Sequence, residues 1–111
     1  MKRVLIVTGG SRGIGKAISI KAAKKDIVVI VNYKNNKIAA EDTVNIIKNK
    51  GGEALAIQAD TGKEEDIVRL FNTAKNKYGQ ITDLVNNAAI TGGVCLIENI
   101  KKDILNEVFK V

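Results

Sequence analysis

The sequence predicts an α/β fold, a parallel sheet with helices packed on both of its faces, and three observations carry that prediction. Short apolar, β-branched runs alternate with stretches of helical period four times along the 111 residues. The connections are only a few residues long, so strands separated by a helix pair in parallel through right-handed crossovers. No proline, internal repeat, low-complexity stretch or linker interrupts the alternation, so residues 1–111 read as one domain.

Val4-Leu5-Ile6-Val7 is the first strand, short and β-branched, and it stops at Gly9-Gly10. Ile14, Ala17, Ile18 and Ala22 then recur at helical spacing, with Lys16, Lys21, Lys24 and Lys25 on the other side. Ile27 to Val31 is the second strand. A second helix runs through Ala40, Val44 and Ile47 and closes near Gly51-Gly52. Ala54 to Ala59 is a third strand, diluted by Ala and Gln. Ile67, Leu70, Phe71, Ala74 and Tyr78 mark a third helix, with Glu64, Glu65 and Asp66 at its positive end and Gly79 ending it. Ile81 to Val85 is the fourth strand and runs into Asn86-Asn87. After a loop around Gly92-Gly93, Ile104, Leu105, Val108 and Phe109 begin one more amphipathic helix.

Composition excludes several functions. Hydrophobic residues make up 45% and charged residues 27%, the mix of a soluble globular chain. The longest apolar run, Ile27 to Val31, is too short to span a bilayer. Only four apolar residues follow Lys2-Arg3, too few for a signal peptide, so the expected compartment is the cytoplasm. With no histidine there is no Ser-His-Asp triad, Cys-His dyad or His-based metal site. Cys95 is the only cysteine, so no internal disulfide forms, and an isolated thiol reads as a packing residue. The net charge of +6 invites a nucleic-acid partner. The fifteen lysines are spread along the chain, however, and four aromatics do not interleave with them, so solvated helix faces explain the charge.

Thr8-Gly9-Gly10-Ser11-Arg12-Gly13-Ile14-Gly15 lies between the first strand and the first helix. Glycines there let backbone N–H groups approach a phosphate, and the helix N-terminus adds unpaired donors and a positive dipole end. Four glycines in seven residues exceed the needs of a tight turn, which points to an anion site. Gly10-x-x-x-x-Gly15-Lys16 follows a P-loop until its last position, where Ala17 stands in place of the Mg²⁺-holding Ser or Thr. An NTPase therefore ranks well behind a dinucleotide binder. The spacing Gly9-x-x-x-Gly13-x-Gly15 differs from G-x-G-x-x-G but serves the same physical purpose.

Thr8-Gly9-x-x-x-Gly13-Ile14-Gly15 resembles the cofactor loop of the short-chain dehydrogenases/reductases, and three further segments match in order. Asp60-Thr61 resembles the family's adenine-side Asp. Asn86-Asn87-Ala88-Ala89 resembles its Asn-Asn-Ala-Gly motif, with Ala89 where the family has glycine, and Asp83-Leu84-Val85 precedes it. The resemblance covers Val4 to Val111. It implies a Rossmann-like, doubly wound sheet with strands in the order 3-2-1-4, incomplete after the fourth strand. It also implies cofactor contacts from Gly9, Ser11, Arg12, Gly13, Ile14, Gly15, Tyr33, Lys34, Asp60, Thr61, Asn87 and Ala88.

The cofactor expected is NADP(H), with NAD(H) second. An NAD site carries an acid about 20 residues past the glycines to hold the ribose 2′-OH. Here the second strand ends Val31-Asn32-Tyr33-Lys34, without one. Arg12 and Lys34 can instead supply charge to a 2′-phosphate, and by the family's pattern a basic residue at the Arg12 position favours NADP.

The family's chemistry uses an Asn, a Ser and a Tyr-x-x-x-Lys pair, with the ammonium lowering the tyrosine pKa. Tyr33-x-x-x-Lys37 has that spacing but follows the second strand, at the adenosine end, and is a coincidence in a lysine-rich chain. The catalytic Asn, Ser, Tyr and Lys are expected beyond Val111, so no catalytic residue is assigned. The expected function is therefore the cofactor-binding segment of an NADP-dependent oxidoreductase acting on a small carbonyl or alcohol. The alternative is a non-catalytic dinucleotide-binding or assembly module. With the sheet ending at its fourth strand, an exposed apolar flank of Leu84, Val85, Ile104, Val108 and Phe109 is expected to promote self-association.

Overall fold

The computed structural model describes residues 2–87. Four strands and three helices alternate: β1 (Arg3–Thr8), α1 (Gly13–Ala22), β2 (Ile27–Tyr33), α2 (Lys37–Asn49), β3 (Glu53–Gln58), α3 (Glu64–Tyr78) and β4 (Asp83–Asn86). The sheet is parallel throughout, in the order β3-β2-β1-β4. The Rossmann-like arrangement expected from the sequence is the one observed. Among the described residues no helix is long and apolar enough to cross a membrane.

Strand parity divides the core. Val4 and Ile6 of β1, Val28 and Ile30 of β2 and Ile57 of β3 face α3 and pack with Leu70, Phe71 and Ala74. Leu5, Val7, Val29, Val31 and Ala54 face the other way and pack with Ala40, Val44 and Ile47 of α2, with α1 alongside through Ile18. Both faces are covered, so β1 and β2 read as continuous apolar runs rather than as alternating ones.

The fourth strand differs from its sequence reading. It spans Asp83–Asn86 rather than Ile81 to Val85. Thr82 is tied to Val4 before the strand starts, its N–H donating to the Val4 carbonyl at 2.9 Å and its hydroxyl accepting from the Val4 N–H at 2.9 Å. Ile81 is buried in the α3-side core from the loop itself. Apolarity alone could not separate a buried loop residue from the first residue of a strand. Leu84 and Val85, expected to be exposed, are half-buried, packed against the α3-side and α2-side cores respectively. Ile104, Val108, Phe109, the final helix and Ala88 lie outside the described residues.

Candidate cofactor site

The site forms where the C-terminal ends of the strands meet, at the switch point between β1 and β4. After Thr8 the chain turns away through Gly9 and Gly13, both left-handed with φ of 63° and 55°, a region that glycine enters without a Cβ penalty. Gly15 has a different reason to be glycine. A Cβ there would collide with the Gly9 carbonyl oxygen and lie 2.7 Å from Asn87 Nδ2. That close approach lets α1 begin directly against the loop, where Ser19 Oγ donates to the Gly15 carbonyl at 2.9 Å.

The tips of β1 and β4 are stitched together. Thr8 Oγ1 donates to Asn86 Oδ1 at 2.9 Å and accepts from the Asn87 N–H at 2.8 Å. Asn87 Nδ2 in turn donates to the Gly9 carbonyl at 3.3 Å. Asn86 thus braces the strand ends, whereas Asn87 reaches the cleft.

The N-terminus of α1 has neither a side-chain cap nor an acid in its first turn. Both other helices satisfy their positive ends from within: Asn36 Oδ1 accepts from the Ala39 N–H at 2.9 Å, and α3 opens with Glu64, Glu65 and Asp66. Gly13 lines the cleft at the α1 end, and a Cβ there would meet nothing within 4 Å, so the backbone is open to a ligand.

Gly9, Ser11, Arg12, Gly13, Tyr33, Lys34 and Asn87 line one cleft of about 610 Å³, together with Asn35 and Asn36. A second recess of about 410 Å³ shares Gly9 and Lys34 and is lined by Asn32, Ala59, Asp60, Thr61 and Gly62. The structure therefore gathers nine of the twelve sequence-selected residues around two adjoining hollows. Ile14 is exposed beside the loop, and Gly15 is buried behind it. Ala88 lies outside the described residues.

Charge in the cleft is mixed. Lys34 Nζ lies 3.8 Å from Asp60 Oδ2, so part of its charge is already answered. Asp60 is fixed by the α3 entrance: its N–H donates to Asp66 Oδ2 at 2.8 Å and its Oδ1 accepts from the Gly62 N–H at 2.9 Å. Among the described residues Arg12 has no ion-pair partner. An open helix pole, a glycine without side-chain obstruction and two cations fit a polyanionic dinucleotide. Tyr33 and Lys37 also border a separate groove of about 250 Å³ between α2 and β3, lined by Glu41, Lys48 and Ala54 among others.

Sequence reasoning assigned no role to Asn32, which is buried at the tip of β2 and whose side chain bonds both the glycine loop and the end of β3. The available signal was an amide closing an otherwise apolar run, Ile27 to Val31.

A family model described as short chain dehydrogenase matches residues 3–111. The chain is 44% identical over 91 residues to the short-chain dehydrogenase/reductase homolog YusS of Bacillus subtilis (strain 168), covering 82% of this chain and 84% of that protein. It is 42% identical over 90 residues to glucose 1-dehydrogenase 2 of the same organism, covering 81% of this chain but 35% of that protein. Among solved structures, a hydroxysteroid dehydrogenase from Escherichia coli superposes with a TM-score of 0.74 at 37% identity, over 82% of this chain and 38% of that one.

Proposed function

Because the chain belongs to the short chain dehydrogenase family, we propose that it is the cofactor-binding segment of an NADP(H)-dependent oxidoreductase acting on a carbonyl or an alcohol. The observation that carries the reading is the shared cleft. The open pole of α1, the unobstructed backbone at Gly13, Arg12 and Lys34 all meet there, with no carboxylate at the tip of β2. When bound, NADPH supplies the hydride that converts a carbonyl to an alcohol.

The chain's own residues bind and orient. The loop from Ser11 to Gly15 presents backbone N–H groups to the pyrophosphate. Arg12 takes the 2′-phosphate as a forked donor, and Lys34 contributes as a point charge once it leaves Asp60. Asp60 and Thr61 line the recess for the adenine. Asn87, tied to the Gly9 carbonyl, shapes the side of the cleft that leads toward the nicotinamide. The Tyr33-x-x-x-Lys37 pair takes no part in the chemistry, and the 111 residues bind without turnover.

The test is a pair of titrations of the full chain, with NADPH and with NADH, read by nicotinamide fluorescence at two salt concentrations. A charge-assisted phosphate contact predicts NADPH tighter by about tenfold or more, with the advantage shrinking as salt rises. Equal affinity, or tighter NADH, overturns the assignment.

A second reading, an assembly module, draws on β4 pairing only with β1 among the described residues. Concentration-dependent mass in light scattering together with no dinucleotide binding would favour it.

A further inference from the structure

We propose that Asn32 is a positioning residue that locks the glycine loop to the end of β3, so that the two hollows act as one site. This rests on the dinucleotide reading and adds to it a residue that would touch no ligand phosphate itself.

The β1–β2 ladder ends at Val7 opposite Val31, where β1 peels away into the loop. The β2–β3 ladder continues two steps past it, through Asn32 opposite Ile57 and Tyr33 opposite Gln58. At this fork the Gly9 N–H is taken by a side chain: Asn32 Oδ1 accepts it at 3.2 Å, and the Asn32 carbonyl accepts the Gly10 N–H at 3.0 Å. The other end of the same amide donates to the Ala59 carbonyl at 3.2 Å and the Ile57 carbonyl at 3.3 Å. Ala59 directly precedes Asp60. One side chain, 1% exposed, therefore holds both the loop under the larger cleft and the segment that carries Asp60.

The chemistry of the residue is specific. Only one orientation of the amide serves, because the reverse would set NH₂ against the Gly9 N–H and an oxygen against two carbonyls. A carboxylate keeps the acceptor for Gly9 and loses both donors toward β3. An alanine leaves three backbone groups, two of them buried, without these partners, and such vacancies are relieved by movement of the loop.

The test compares wild type, Asn32→Ala and Asn32→Asp in the full chain, with two readouts. In the absence of ligand, amide exchange followed by NMR should quicken at Gly9 and Gly10 in Asn32→Ala, while Leu5 and Val29 keep their protection. Asn32→Asp should spare Gly9. With ligand, adenosine reaches only the recess, whereas NADP⁺ spans both hollows. Both variants should weaken NADP⁺ by about tenfold and adenosine by less than about threefold. Loss of both ligands by a common factor would reduce Asn32 to a stability residue and overturn the proposal. If Asn32→Ala does not fold, Asn32→Asp carries the comparison. In wild type, saturating adenosine should also slow Gly9 exchange, and unchanged exchange there counts against coupling. Failure of wild type to bind either ligand would refute the dinucleotide reading instead, and the exchange rates in the ligand-free variants would then alone uphold or overturn the lock.

Discussion

At the N-terminal ends of the strands, Arg3 pairs with Asp83 and Lys2 with Glu53, and Gln80 Nε2 donates to the Lys2 carbonyl at 2.8 Å. These bonds are exposed. At the C-terminal ends, Thr8, Ser11 and Asn32 are buried, and their hydrogen bonds surround a cleft instead of closing over it. The same strands thus end in two kinds of polar structure. Exposed ion pairs are screened by water and hold little net free energy, so their identities are exchangeable. Buried polar groups lose about 1–3 kcal/mol when a partner is removed, so each one at the cleft end is fixed by its neighbours. Sequence constraint is expected to be lopsided along the strands: tight at their tips and loose at their starts.

The widest test asks whether both ends stand on one core. Phe71, fully buried, sits in the α3-side core shared by the strands. Phe71→Ala should cost about 3–5 kcal/mol and melt both ends together in a single calorimetric transition. Separate transitions for the two ends would break the comparison. A sharper test is Gly15→Ala, which drives a Cβ into the Gly9 carbonyl and Asn87. It should cost about 1–3 kcal/mol in chemical denaturation and abolish measurable NADPH binding. Retained binding would mean the loop has slack that this packing denies.

Two arginines make the next contrast. Arg12→Gln should weaken NADPH by about tenfold and leave NADH nearly unchanged. Arg3→Gln, at the closed end, should leave both affinities unchanged. Equal effects from the two would show that net charge, not position, draws the ligand.

The smallest effect is alkaline. Tyr78 ends α3, and burial first, then the nearby Glu53 carboxylate, raise its pKa above the ordinary 10.0. The fold therefore keeps the phenol neutral after the unfolded chain would have ionised. This stabilisation is complete below about pH 10 and declines as pH rises toward the folded pKa. Tyr78→Phe should flatten the dependence of melting temperature on pH above 10, with cofactor affinity unchanged.

Much of this was legible in the residues. Val4 to Val7 and Ile27 to Val31 are runs that only a sheet covered on both faces explains, and the helices followed from spacing and from punctuation at Gly51 and Gly79. The glycines of the loop announced an anion site because of where they fall, between a strand and a helix. Asn32 and Ile81 resisted reading for one shared reason. A buried amide and a buried loop residue are defined by what lies across from them, and their partners, Gly9 and Ala59 for one and the β1 residues Val4 and Ile6 of the shared core for the other, are distant in sequence.

Periodicity and glycine placement are local properties, so the chain by itself determined its α/β class, the order of its elements and the glycine loop at the end of β1, while the family resemblance pointed to the other residues that gather at the strand ends. Tertiary structure decided where β4 begins, why Gly15 admits no Cβ, that Lys34 shares its charge with Asp60, and that one amide joins the loop to β3. Each of those depends on a distance between segments, and such distances exist only once the strands have paired.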